Sequence, residues 1–145
     1  MFSSYKMVFI SLIPNIIPLL LTCAIMGIFG IALKPSTILV FSIAFGISVD
    51  DTIHFLAKYR QELRYRNNNI KDSVVAAIKE TGISMFYTSI VLFFGFFIFI
   101  ASQFGGTLAL GLLVSITLMI ALLSNLIVLP AMLLSLEKSL IEEAI

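Results

Sequence analysis

Residues 37–57 read TILVFSIAFGISVDDTIHFLA, an apolar stretch as long as a bilayer is thick with two adjacent acids, Asp50 and Asp51, inside it. About 20 apolar residues let an α-helix cross the hydrocarbon core. A carboxylate at bilayer depth costs roughly 2.5–3.5 kcal/mol on insertion scales, so a pair is a heavy penalty unless protonated or neutralised by a cation. Acids retained at such depth mark, by default, a path for protons or ions.

The chain around this stretch is built for lipid. It has 145 residues, 60% hydrophobic and 12% charged, with a mean hydropathy of +1.12. A soluble domain carries about 25% charged residues, so the composition specifies an integral membrane protein and excludes a soluble enzyme. The net charge of +1 gives no ground for a nucleic-acid partner. Cys23 stands alone, which excludes an intrachain disulfide. Lys6 precedes an apolar run containing Pro14 and Pro18 that is too long for a signal core, so no cleavable signal peptide is expected.

Four spans are expected, at about 7–31, 37–57, 83–102 and 108–136. They are continuously apolar without period-two alternation, which selects helices over a closed barrel. The expected fold is therefore all-α, an integral membrane four-helix bundle in a single transmembrane domain over 1–145. Two connections, 32–36 and 103–107, are tight. The third, 58–82, is long and holds Lys58, Arg60, Arg64, Arg66, Lys71 and Lys79, six of the nine lysines and arginines. The positive-inside rule makes this loop cytoplasmic, puts both termini on the same side with Lys6 and Lys138, and leaves only Lys34 outside. Within the loop, 71–81 reads as a short amphipathic helix lying at the headgroups, capped by Asp72 or Ser73, with Val74, Val75 and Ile78 on one face and Gly82 as its stop.

Helical spacing sharpens the acid pair. Ser42, Gly46, Asp50 and His54 follow one another by four and share a stripe, on which small residues would let a neighbouring helix approach closely. Asp51 lies about 100° further round. Two carboxylates this close in a low dielectric cannot easily both ionise, and the pair is expected to titrate as a unit. Asp50 is expected to carry the proton and Asp51 to tune it. His54 serves either as a relay to the cytoplasm or as a polar end-group. His54 and Asp50 alone make no metal site. On the third span, Ser84, Thr88 and Gly95 form a face suited to the second, where Thr88 or Ser89 can hydrogen-bond the carboxylates or simply return a bond to their own backbone. The run LFFGFFIFI faces lipid. On the fourth, Gly111 and Ser115 form a contact surface, Asn125 is a polar residue near the inner end, and Pro130 interrupts the helix.

Taken together these motifs resemble a known group. GISVDDTIHFLAKYRQE is similar to the acid-bearing helix of the resistance–nodulation–division (RND) transporters, especially the mycobacterial membrane protein large (MMPL) branch and its hydrophobe-exporting relatives. IPNIIPLLLTCAIMGIFGIAL resembles the preceding helix, and TSIVLFFGFFIFIASQFG and SNLIVLPAMLL the two that follow. The resemblance implies the last four helices of one half, better the C-terminal half, of a larger exporter in the bacterial inner membrane. It carries the family acid onto Asp50, whereas Asp51 falls where relatives have either Asp or Tyr, and Asn125 falls where many carry an acid. It implies no cofactor beyond the coupling proton, a lipid or other hydrophobic cargo, and partners in the remaining half and an extracytoplasmic domain, with an oligomer in the intact transporter. The sterol-sensing domains share this helical core, so a lipid- or sterol-sensing module stands as an alternative, as does an accessory subunit of a protein-export complex.

Overall fold

The structure, a computed structural model, describes the backbone over residues 2–67 and 69–143 and side chains over 5, 8–67 and 69–135. Lys6 and Lys138, which entered the topology argument, lie outside the described side chains. Every element is helical: α1 (Phe2–Phe29), α2 (Pro35–Tyr65), α3 (Ile70–Ala77), α4 (Ile83–Phe97) and α5 (Gly105–Glu143). A single π turn, Ile78–Gly82, joins α3 to α4, and a 3-10 turn, Ile98–Ala101, ends that run. Four helical runs are long and apolar enough to cross a membrane: Val8–Phe29, Pro35–Tyr65, Ile70–Ala101 and Gly105–Ser135.

Local chemistry explains the turn between α1 and α2. α1 stops at Gly30, whose φ of 65° is open to glycine and strained for other residues, and the Ile31 N–H then closes onto the Met26 carbonyl at 2.9 Å. α2 starts with Pro35 in the first turn, where its missing N–H costs nothing, while the Lys34 N–H donates to Thr37 Oγ1 at 2.7 Å.

The connection between α2 and α4 differs from the expected loop. Residues 58–65 continue α2, and 70–82 are helical as well, leaving a turn at 66–69. Asn69, rather than Asp72 or Ser73, caps α3 by accepting from the Asp72 N–H at 3.2 Å. Nor does Gly82 stop the helix; it is buried against α5, where a Cβ would come within 3.3 Å of Leu126. α3 packs against α2 and α5. Ser73, Val74 and Ala77 point inward while Val75 is exposed, because Val74 and Ala77 join Phe55, Tyr59, Leu129 and Leu133 in one apolar cluster.

α5 is the hub. It packs against α1, α2 and α4, and more than half of its apolar window is buried. Pro130 lies inside α5 without ending it. The small-residue surface expected at Gly111 and Ser115 meets the end of the preceding run: a Cβ on Gly111 would lie 2.6 Å from Phe99 Cβ and 2.7 Å from the Phe96 carbonyl. α4 therefore packs on α5, and its expected seat on α2 is not taken. The phenylalanine run does leave Phe94, Phe97 and Ile98 on the outside.

Between two apolar clusters, one around Phe55 and Leu129 and the other around Val40 and Leu113, the three helices α1, α2 and α5 share a layer of buried polar side chains. The Ser48 hydroxyl donates to the Asn15 amide oxygen. The Thr52 hydroxyl reaches Asn125 Oδ1 at 3.1 Å, and Asn125 Nδ2 returns to the Ser48 carbonyl at 3.3 Å. The Asn15 amide nitrogen donates to the Ser11 carbonyl at 2.6 Å, so the circuit closes with every amide engaged. Further along, Thr22 and Thr117 pair through their hydroxyls at 2.6 Å. Pro18 has no N–H to give the Pro14 carbonyl, and the Ser124 hydroxyl donates its O–H to that carbonyl instead, at 2.8 Å. Prolines that would loosen a lone helix are thus tied down from α5.

Two predictions follow from this packing. Gly111→Val should destabilise the bundle by about 1–3 kcal/mol, because two backbones must separate to admit the side chain. Asn125→Ala should cost about 1–2 kcal/mol, the scale of an interhelical hydrogen bond in a membrane. Steric-trap unfolding in bicelles measures both. Wild-type stability in either variant would contradict the contact concerned.

Candidate functional site

The circuit decides where the acids go. Ser48 and Thr52 face inward to α1 and α5, and residues two positions away on a helix point about 200° round. Asp50 is accordingly exposed, with 71% of its side-chain surface open. His54 Nε2 lies 3.6 Å from Asp50 Oδ1, one turn along, and is equally open. Asp51 is half-buried.

Both acids line one open groove of about 440 Å³ together with His54, Lys58, Glu80, Thr81, Ser84, Met85 and Thr88. One wall is α2, and the other is the π turn and the start of α4. At the basic end, Lys58 Nζ bridges the walls, 2.5 Å from Glu80 Oε2 and 3.2 Å from Glu62 Oε1. Arg66 holds Glu62 from the other side at 3.1 Å. The extra residue of the π turn sets the direction in which Glu80 leaves the helix, and such turns recur at functional sites.

The expected site residues separate into three groups. Asp50, Asp51, His54 and Thr88 come together in the groove. Thr88 returns its hydroxyl to the Ser84 and Met85 carbonyls, both at 3.0 Å, and gives no bond to a carboxylate. Ser89, one residue further round, is buried in the protein interior. Asn125 lies on the far side of α2 from the acids and touches Ser48 and Thr52, so it holds the helix that bears them. Ser42 and Gly46 do share an open face with Asp50 and His54, yet among the described residues no helix covers it: a Cβ on Gly46 would meet nothing within 4 Å. The close-packing partner expected for that stripe is not among α1, α3, α4 and α5, because α5 takes the opposite face.

Glu80, Thr81 and Ser84 are groove residues that spacing along α2 alone could not find, whereas Lys58 continues the stripe of Asp50 and His54 by four. They come from two helical runs, and only the turn at 66–69 and the phase of the π turn bring them together. For Ser48 and Thr52 the available signal is polarity opposite the acids on α2, and for Asn15 an amide between the two prolines of α1. Chemically, the groove offers three carboxylates, an imidazole and an ammonium between helical walls, a set able to accept, hold and pass a proton.

Comparison with known proteins agrees with this architecture. The MMPL family model matches residues 6–143. The chain is 30% identical to the hopanoid transporter HpnN of Burkholderia multivorans over 135 residues, which make up 90% of this chain and 15% of that protein. No solved structure matches significantly. With its four apolar runs, its all-helical fold and a family match along nearly its whole length, this chain is a multi-pass membrane protein that belongs to the MMPL family.

Proposed function

We propose that this chain is the proton-coupling segment of an RND-type exporter of lipids or other hydrophobic compounds in the bacterial inner membrane. The observation that carries the reading is the groove. Asp50 and Asp51 stand together within an apolar helix, beside His54 and Lys58, on the face that the bundle leaves open. Acids at such depth are rare outside ion and proton pathways. The turn at 66–69 and both termini lie in the cytoplasm, as the basic residues around that turn require.

Coupling works through charge. When the pair is ionised it attracts Lys58 and water into the groove; when it takes up a proton the attraction weakens, and α2 can shift against the π turn. The proton is the only coupling agent needed, and no cofactor takes part. Asp51, the more enclosed acid, shares the proton with Asp50 as a unit. The movement is passed to the remaining half of the exporter, which meets the open stripe of Ser42, Gly46, Asp50 and His54, and through it to an extracytoplasmic domain. Similarity to a hopanoid transporter supports a polycyclic or long-chain lipid as cargo.

Asp50→Asn and Asp51→Asn, each placed in the intact exporter, should lower proton-driven export by at least about tenfold while leaving the amount of protein in the membrane unchanged. Export into everted vesicles with and without a proton gradient measures this. Wild-type export in both variants would refute proton coupling at this pair. A loss of cargo affinity that ignores the gradient would instead favour a lipid-sensing module.

A further inference from the structure

α2 is longer than a bilayer requires. Its 31 residues span about 46 Å, against about 30 Å of hydrocarbon. The apolar stretch ends at Ala57, and the last two turns form a groove of about 450 Å³ lined by Ala57, Arg60, Gln61, Arg64 and Tyr65. Arg60 and Arg64 are one turn apart on the same side, about 15 and 21 Å along the axis from Asp50. That is the height at which the acyl region gives way to phosphates.

The basic residues at this end of α2 do not all behave alike. Lys58 is held by Glu62 and Glu80, and Arg66 by Glu62. Arg60 and Arg64 are exposed and pair with no acid among the described residues. Toward the membrane centre the same side of α2 offers the small Ala57 and the exposed Ile53, a surface suited to an acyl chain. Tyr65, 77% exposed, sits where aromatic side chains favour the interface.

We propose that Arg60 and Arg64 form a binding site for the phosphate of an anionic phospholipid of the leaflet facing the 66–69 turn. Two guanidinium groups one turn apart each offer a planar fork of N–H donors, which matches phosphate oxygens better than a point charge does. Gln61 and Tyr65 add neutral donors beside them, and the acyl chains run along α2 past Ala57 and Ile53. A leaflet supplies phosphate at this height continuously, whereas a soluble anion must reach it from bulk water.

The test uses the full chain reconstituted in phosphatidylcholine bilayers, with spin-labelled phosphatidylglycerol or phosphatidylcholine as probe. Electron paramagnetic resonance gives the motionally restricted fraction of each lipid, and circular dichroism checks that every variant is folded. Wild type should prefer phosphatidylglycerol, and Arg60→Gln and Arg64→Gln should each lower the preference by about fivefold. Lys71→Gln with Lys79→Gln, which removes two exposed cations outside the groove, should largely keep it. Arg60→Lys with Arg64→Lys should keep only part. No preference in wild type would mean that the arginines meet protein carboxylates instead, and would overturn the lipid site. So would equal losses from the arginine and lysine pairs, full retention by the Lys substitutions, or displacement of the lipid by inorganic phosphate at constant ionic strength.

Discussion

The structure depends on a hydrogen-bonded circuit of neutral side chains, Asn15, Ser48, Thr52 and Asn125, closed between α1, α2 and α5. In lipid no hydrophobic force distinguishes one apolar face of a helix from another, so polar contacts and close packing set how each helix is turned. Ser48 and Thr52 turn α2 inward on one side. The residues between and beside them, Asp50 and Asp51, are thereby turned outward and sideways into the groove. The charged groove is thus oriented by an uncharged circuit on the opposite face of α2. This division also suits movement: protonation can alter the groove wall while the circuit keeps α2 attached to the hub.

α5 makes that division possible. Its long buried face receives α1, α2 and α4, with glycine at the tightest approach and hydroxyls tying the prolines of α1. The π turn at Ile78–Gly82 lets one helical run serve two neighbours. Its first part packs beneath α2 and carries Glu80 to Lys58, and its second part leans on α5. An uninterrupted α-helix would turn one of those faces by about 100°.

Much of this was present in the residues. The four spans, the all-helical class, the acid pair, the family and the contact surface at Gly111 follow from hydropathy, spacing and motif. Less accessible were features set by tertiary partners. The stretch 58–82 looked like a loop because it is polar and basic, but a helix projecting beyond the bilayer has the same composition. Gly82 looked like a stop because glycine often ends helices, yet here its missing side chain serves contact with Leu126. The stripe with Ser42 and Gly46 suits a neighbouring helix. Spacing identifies a face suited to contact but not which helix claims it, and α5 claims the other side. Asn125 was recognised as polar; that it steadies α2 from behind required the positions of Ser48 and Thr52.

The central claim is that Asp50 and Asp51, oriented by the circuit, are proton-exchanging groups within the membrane. Infrared difference spectroscopy of the reconstituted chain across a pH titration tests this most directly, through the C=O stretch of protonated carboxyl groups. The account predicts a band that grows as pH falls, shifts in deuterium oxide, and disappears when Asp50 and Asp51 are both replaced by Asn while the remaining acids are kept. A spectrum unchanged by the double substitution would contradict it.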